Sequence, residues 1–259
     1  MLIDYHIHTA MSGDAKGELM DHVYKAQERG LSEIGFSDHF HVEKQSYSMS
    51  FEKLAQYTEK VISCKEETNS PVKLGLEVDY VPNLQNQIEQ VLKKRCFDYV
   101  TGSLHFINGW GFDDSKFISE YQKWDIGELN RAYFNLVQQC AQSHLFDIIG
   151  HLDLIKKSEF SPKEDMTEVF AETLEVIRRS NVCVEVNTGG LRAPCKEVYP
   201  SKPLLKACFD CGIPITLGSN AHTPGNVGED FDKALRLIKQ LGYCEIARFN
   251  QRRREQVKL

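Results

Sequence analysis

Two kinds of segment alternate along the chain. Short runs rich in Ile, Val, Leu and Gly end in polar residues, and longer stretches with apolar positions spaced among charged ones follow them. The short runs are Leu2–His8, Glu33–His39, Val72–Tyr80, Tyr99–His105, Asp147–Asp153, Cys183–Thr188 and Ile213–His222. Several are nearly continuous in apolar residues, as strands of a parallel sheet covered on both faces require. The stretches between and after them predict helices near 18–29, 51–68, 84–95, 127–144, 165–180, 202–211 and 227–241. Val169, Leu174, Val176 and Ile177 supply an apolar face in one, and Ala234, Leu235, Leu237, Ile238 and Leu241 in another. Asp165 or Ser161-Pro162 offers a start signal for the helix near 165, and Gly30 and Gly242 end theirs. Seven strand–helix units without a composition break predict a single domain over residues 1–259 and an α/β fold closed, or nearly closed, into a barrel. An open doubly wound sheet is the alternative, and the lack of a GxGxxG after the first strand removes its commonest functional form.

Metal-capable side chains stand at six of the seven strand ends: His6 and His8, Asp38 and His39, Glu77 and Asp79, His105, His151 and Asp153, and His222 beside Asn220. Residues i and i+2 of a strand share a face, so His6 and His8 reach into one site. In a (β/α) barrel the C-terminal rim is where active sites form. A lone histidine at a strand end is usually a hydrogen-bonded core or rim residue, but six of the nine histidines sharing one topological position require a joint explanation. His22 and His144 fall in helical stretches, where solvated or capping roles suffice, and His41 lies just past the second strand as a rim residue for substrate.

Imidazole with carboxylate suits zinc, iron or manganese, and so many ligands exceed the needs of one ion. Two to three divalent ions are expected. Paired ions clamp both ends of an in-line displacement, which suits phosphoester hydrolysis. The net charge of -6 argues against a general nucleic-acid binder but leaves room for a phosphorylated small molecule, whose charge the ions would meet. No apolar run approaches the length that crosses a bilayer, and no basic and apolar leader opens the chain, so a cytoplasmic protein is expected. Eight scattered cysteines read as reduced thiols, and the Cys208/Cys211 pair lacks the partners a zinc site needs.

His6-Ile7-His8, Ser37-Asp38-His39, Gly75-Leu76-Glu77, Gly102-Ser103-Leu104-His105, Gly150-His151-Leu152-Asp153 and Gly218-Ser219-Asn220-Ala221-His222, in this order, resemble the polymerase-and-histidinol-phosphatase (PHP) family across essentially the whole chain. The resemblance implies a distorted (β/α)7 barrel with the active site at the C-terminal strand ends and a trinuclear metal centre. It assigns His6, His8, Glu77 and Asn220 to a first metal, Glu77, His105 and His151 to a second, and His39, His222 and Asp14 to a third. Asp14 stands where many relatives have histidine. Asn220 stands where the family normally has aspartate, and an amide oxygen is a neutral, weaker ligand.

Residues 150–157, 185–192 and 197–201 resemble the subgroup that hydrolyses L-histidinol phosphate in histidine synthesis, which implies hydrolysis by a metal-activated hydroxide. Arg192, Lys156 and Lys157 are then candidate phosphate contacts, His41 a substrate contact, and Asp14, His41, Asp153 and His222 candidate proton donors to the leaving group. Glu43, Glu159 and Asp113 are acidic groups available to the cationic substrate. The alternatives are a phosphoesterase for another phosphomonoester, a nucleotide or phosphotyrosine, a metal-dependent amidohydrolase, and a binding module weakened by Asn220. Glu77, at the place where amidohydrolases often carry a carboxylated lysine, counts against the second.

Overall fold

The computed structural model describes residues 1–43, 45–68 and 70–259. In chain order it contains β1 (Ile3–Ile7), α1 (Leu19–Glu28), β2 (Glu33–Phe36), β3 (His39–Phe40), α2 (Phe51–Glu67), β4 (Val72–Leu74), β5 (Glu77–Asp79), α3 (Gln85–Leu92) and β6 (Thr101–Ser103). A small hairpin, β7 (Phe106–Ile107) with β8 (Trp110–Gly111), precedes α4 (Ile126–Gln142), β9 (Ile148–Ile149), α5 (Thr167–Ser180), β10 (Cys183–Asn187), α6 (Lys202–Asp210), β11 (Ile215–Gly218) and α7 (Phe231–Leu241). The chain closes with β12 (Glu245–Asn250) and β13 (Arg253–Lys258).

The architecture is mixed α/β with parallel sheets and helices, as the alternating pattern predicts. One sheet runs β1-β2-β4 and the other β11-β10-β9-β6-β5-β3. Two of the expected strands are interrupted: Ser37-Asp38 separates β2 from β3, and Gly75-Leu76 separates β4 from β5. Pairing continues across both breaks, since Gly75 N donates to Phe36 O at 2.8 Å and Glu77 N to Asp38 O at 3.2 Å. The Tyr99 ring packs beside both breaks, where Cβ atoms at Gly35 and Gly75 would approach it within 2.3 and 2.2 Å. Glycine at both positions lets the ring lodge between the strands, where its hydroxyl donates to Tyr5 O at 2.8 Å. At the other edge β1 meets the chain beyond β11: His8 N donates to Ala221 O at 2.9 Å and Ala221 N to His6 O at 3.0 Å.

Helices start and stop on local chemistry. Ser50 and Asp125 cap α2 and α4 by accepting from Lys53 N and Glu128 N. Arg29 and then Gly30, at φ +67°, terminate α1, and Gly242, at φ +109°, terminates α7. Met166 occupies the cap position of α5 without a side-chain bond, and Asp165, one residue earlier, accepts from Thr167 N at 2.9 Å.

Nothing in the hydrophobic pattern marks an element beyond Leu241, yet β12 and β13 form an antiparallel hairpin there. Its turn is Gln251-Arg252, both at positive φ without the Asn or Gly that usually announces such a turn. Ile246, Ala247 and Phe249 are buried, and Phe249 N donates to Tyr5 Oη at 3.1 Å. The hairpin thus covers the N-terminal strand ends. His22 is a second correction: it is buried against Phe36, its Nδ1 2.9 Å from Glu18 O, and is neither solvated nor a cap. His144 is exposed at φ +55° just past α4.

Candidate metal centre

Parallel strands all present the same end, so one polar residue placed late in each is enough to gather a site. His6 and His8 leave β1 on one face, and β3 begins with His39, paired in register with Glu77 of β5. His105 and His151 follow β6 and β9. His222 follows β11 and adjoins His8, with ring centroids 4.4 Å apart. The remaining rings are equally close: His8–His39 at 4.2 Å, His6–His8 at 4.9 Å, His105–His151 at 5.1 Å and His39–His105 at 5.4 Å. All six strand-end histidines therefore share one pocket.

Glu77, fully enclosed, stands at its centre, and its two oxygens divide the histidines. Oε2 lies 3.2 Å from His6 Nε2, 3.6 Å from His8 Nε2 and 2.8 Å from His39 Nδ1. Oε1 lies 3.0 Å from His151 Nε2 and 3.9 Å from His105 Nε2, and accepts a 2.6 Å bond from Ser103 Oγ. Burial would raise the Glu77 carboxyl, but the imidazoles of His39 and His6 outweigh it and hold the group well below the usual carboxylate range. His8 moves the other way: burial first, then His39, His222 and His6 around it, push it well below the ordinary histidine value. Burial also lowers His151, against the pull of Glu77. For His105, burial is overcome by Asp79 at 2.6 Å, which lifts it to about 10.

These residues fit divalent ions. Three groups have ligand atoms mutually close enough to hold a cation: His8, His39 and His222; His6, Glu77 and His151; and His39, Glu77 and His105. Among the described residues, no cysteine joins such a group. The buried His6 Nε2, His39 Nδ1 and Glu77 Oε2 lie close together yet make no hydrogen bonds, as donors aimed at a shared centre would. Imidazoles kept neutral by burial offer lone pairs, and crowded ones cannot all be protonated.

Asp14 is exposed at the mouth, its Oδ2 3.6 Å from His39 Nε2 and 3.3 Å from His222 Nε2. Asn220, at φ +52°, places Oδ1 3.2 Å from His8 Nε2. Arg192 is more committed than its sequence position suggests: Nη2 donates to Ser219 O at 2.5 Å and Asn220 O at 3.1 Å, while Nη1 lies 3.5 Å from Glu229 without a hydrogen bond. Lys156 pairs with Asp153 and Glu197, both at 3.1 Å, over the Tyr199 ring, and that ring faces His151. Lys157 pairs with Asp113 at 3.0 Å, and Asp113 is the acidic group set among His105 and His151. His41 Nδ1 turns inward to the backbone of Glu43 at 2.9 Å.

Of the groups behind the histidines, Asp38 and Asp79 stand in the sequence only as metal-capable side chains, and their oxygens are taken by protein donors instead; Glu185, Asn187 and Tyr47 have no role there. Glu185 and Asn187, at the one strand end credited with no chemistry, sit beneath His6, and Glu185 Oε1 is 2.6 Å from its Nδ1. Tyr47 donates to Asp79 Oδ2 at 2.6 Å, stacked edge-on to His39 and His105. Asp38 accepts from Thr9 N and Oγ1, both at 2.6 Å, and from Ser12 Oγ at 2.7 Å, which ties the loop after β1 beside His39. The available signal was a charged residue inside the otherwise apolar Cys183–Thr188 run.

The PHP domain matches residues 4–189 of this chain. A probable histidinol-phosphatase of Deinococcus radiodurans is 37% identical over 246 residues, covering 93% of this chain and 94% of that protein. The histidinol-phosphatase of Lactococcus lactis is 27% identical over 261 residues, with 96% and 94% covered. The crystal structure of a Lactococcus lactis histidinol phosphate phosphatase, complexed with zinc, L-histidinol and phosphate, superposes with a TM-score of 0.83 at 25% identity over 98% of both chains. By the motifs at its strand ends, and by likeness along nearly its full length, this chain belongs to the PHP family.

Proposed function

We propose that the chain is a metal-dependent histidinol-phosphatase, hydrolysing L-histidinol phosphate to L-histidinol and phosphate in histidine biosynthesis. The convergence of five imidazoles on the two oxygens of Glu77, with His222 beside His8, carries this reading, and full-length similarity to proteins of that name supports it. The strands read as a distorted (β/α)7 barrel, with β2 and β3, and β4 and β5, each counted as one strand, and residues 1–259 as one domain. A cytoplasmic setting goes with this reading, in which the eight free cysteines stay reduced.

Glu77, His6, His8 and Asn220 would hold a first ion and Glu77, His105 and His151 a second; the side of Glu77 on which His6, His8, His105 and His151 lie supports this division, while His39 also reaches Oε2. Asp14, His39 and His222 would hold a third. The donor set suits zinc, manganese or iron. When bound, the ions supply Lewis acidity at the phosphoryl oxygens and a water acidified for attack on phosphorus. The residues around them do the rest. Arg192 Nη1 is left to meet a phosphoryl oxygen, with Lys156 and Lys157 as further cations, while His41 is buried with Nδ1 on the Glu43 backbone and would have only Nε2 for the substrate. Asp14, exposed at the mouth, and the half-buried His222 beside it would guide a proton to the departing alkoxide through a water, since as ligands of the third ion they would keep none of their own on the ligating atoms. Asp113, beside Lys157, is the carboxylate best set to meet the substrate ammonium.

A panel of phosphomonoesters assayed with metal-replete wild type and Asn220→Asp tests the assignment. Selective turnover of L-histidinol phosphate is expected. If Asn220→Asp turns it over no faster than p-nitrophenyl phosphate, the substrate assignment fails. One observation keeps a second reading open, that of a variant with weakened activity: Asn220 presents only a neutral amide to His8. High metal content with no turnover in wild type, and turnover restored in Asn220→Asp, would select it.

A further inference from the structure

Glu185 lies under the imidazoles on β10, and groups from three places use its two oxygens. Oε1 is 2.6 Å from His6 Nδ1. Oε2 accepts from the His151 backbone N–H at 2.9 Å and from the Asn187 side-chain amide at 3.0 Å. The adjoining strand is cut back to receive it: a Cβ at Gly218 would lie 1.8 Å from Oε1. We infer that Glu185 is a positioning residue that fixes the tautomer of His6, holding the ring proton on Nδ1 and leaving Nε2 as a lone-pair donor. The inference rests on reading His6 as a metal ligand.

The reasoning is one of donors and acceptors. An ionised carboxylate accepts at both oxygens and donates at neither. On the Oε2 side stand two donors that cannot reverse. One is a peptide N–H. The other is the Asn187 amino group, whose companion oxygen already accepts from Gly189 N at 2.8 Å. The Asn187 amino group also stands 3.4 Å from His6 Nδ1, but the carboxylate oxygens are nearer to both, 3.0 Å from the amide and 2.6 Å from the ring, so with both oxygens accepting Nδ1 carries the proton. Glutamine at 185 has one oxygen and one amino group. The two fixed donors claim the oxygen, so the amino group turns to His6 and donates to Nδ1. The proton then moves to Nε2, the nitrogen 3.2 Å from Glu77 Oε2, and that nitrogen loses its lone pair for coordination.

Asp79 provides the contrast. Its Oδ1 is 2.6 Å from His105 Nδ1, but its other oxygen accepts from the Tyr47 hydroxyl. A hydroxyl both donates and accepts, so asparagine at 79 can donate to Tyr47 and keep its own oxygen on His105. The same acid-to-amide change thus inverts a ligand in one place and spares it in the other.

The test compares metal-free wild type, Glu185→Gln and Asp79→Asn, matched for circular dichroism, in titrations with Zn(II) and Co(II) against a competing chelator. Glu185→Gln is expected to weaken one site by about 10–100-fold and to alter the Co(II) absorption bands, about tenfold more affinity being lost than in Asp79→Asn. Wild-type binding by Glu185→Gln, or an equal loss in Asp79→Asn, overturns the inference. Should Glu185→Gln not fold, long-range proton–nitrogen NMR of zinc-loaded wild type with labelled histidine decides it. A proton on His6 Nδ1 supports the inference, and one on Nε2 overturns it. A wild type that binds no zinc or cobalt defeats the underlying reading of His6, whereas normal wild-type binding with an unaffected Glu185→Gln defeats only the role given to Glu185.

Discussion

At their C-terminal ends the strands turn imidazoles and carboxylates toward one another; toward their N-terminal ends they pack Ile3, Tyr5 and Tyr99 against Ile246 and Phe249 of the closing hairpin. Both regions are buried, but burial acts oppositely in them. Tyr5 and Tyr99 stack at 4.6 Å and Phe249 lies 6.2 Å from Tyr5, so removing these rings from water stabilises the fold directly. Around Glu77 burial opposes the charged form of each titratable group; the imidazoles offset it at the carboxylate, and under the proposed function bound ions would offset it at the crowded imidazoles. One end stabilises the fold as it stands, while the other, under the proposed function, would draw stability from bound metal.

Substitutions at each end sharpen that contrast. Glu77→Ala removes the group both histidine sets share; a kcat loss of about a thousandfold or more is expected, from several kcal/mol of lost charge stabilisation, and metal analysis should show ions missing. Near-normal kcat with full metal content would break the contrast at its centre. Phe249→Ala should lower stability by about 3–5 kcal/mol, read as a fall in Tm, with kcat of the folded, metal-saturated protein unchanged. Loss of metal content from this remote change would join the two ends. Chelation should abolish activity and lower Tm reversibly, since ions at about a hundred times their Kd contribute about 2.7 kcal/mol; a Tm indifferent to chelator would mean that the imidazoles need no ion to be stable. Asn220→Asp adds a ligand charge and should tighten metal binding about tenfold, or about 1.4 kcal/mol, measured by competition. The smallest effect belongs to Lys206→Ala, which removes an exposed pair with Asp210. About 0.5 kcal/mol or less is expected, and a larger Tm shift would show that surface charge shares the work assigned to Phe249.

The strand ends are legible because each candidate ligand sits at the same point of a repeated pattern, so His6, His39, Glu77, His105, His151 and His222 need no contact information to be picked out. What supports them was not. Glu185 reads as one acid in an apolar run, and its partners, His6 and the His151 backbone, are 179 and 34 residues away. Arg192 reads as a free cation because carbonyls of Ser219 and Asn220 leave no mark in sequence. The hairpin was missed for a related reason: Arg252, Arg253 and Arg254 look like a solvated tail, yet Arg252 bonds Leu145 O and pairs with Asp147, and Arg254 holds Asn181. Short-range pattern reports periodicity and caps. Pairings across the fold it leaves silent.

Tyr99 gives the two ends a mechanical connection. By wedging between Gly35 and Gly75 it sets the spacing of two strands just before they deliver His39 and Glu77. The width of the pocket thus depends in part on an aromatic side chain outside the imidazole cluster, and a smaller or larger side chain at 99 should change the spacing of His39 and Glu77 without replacing either.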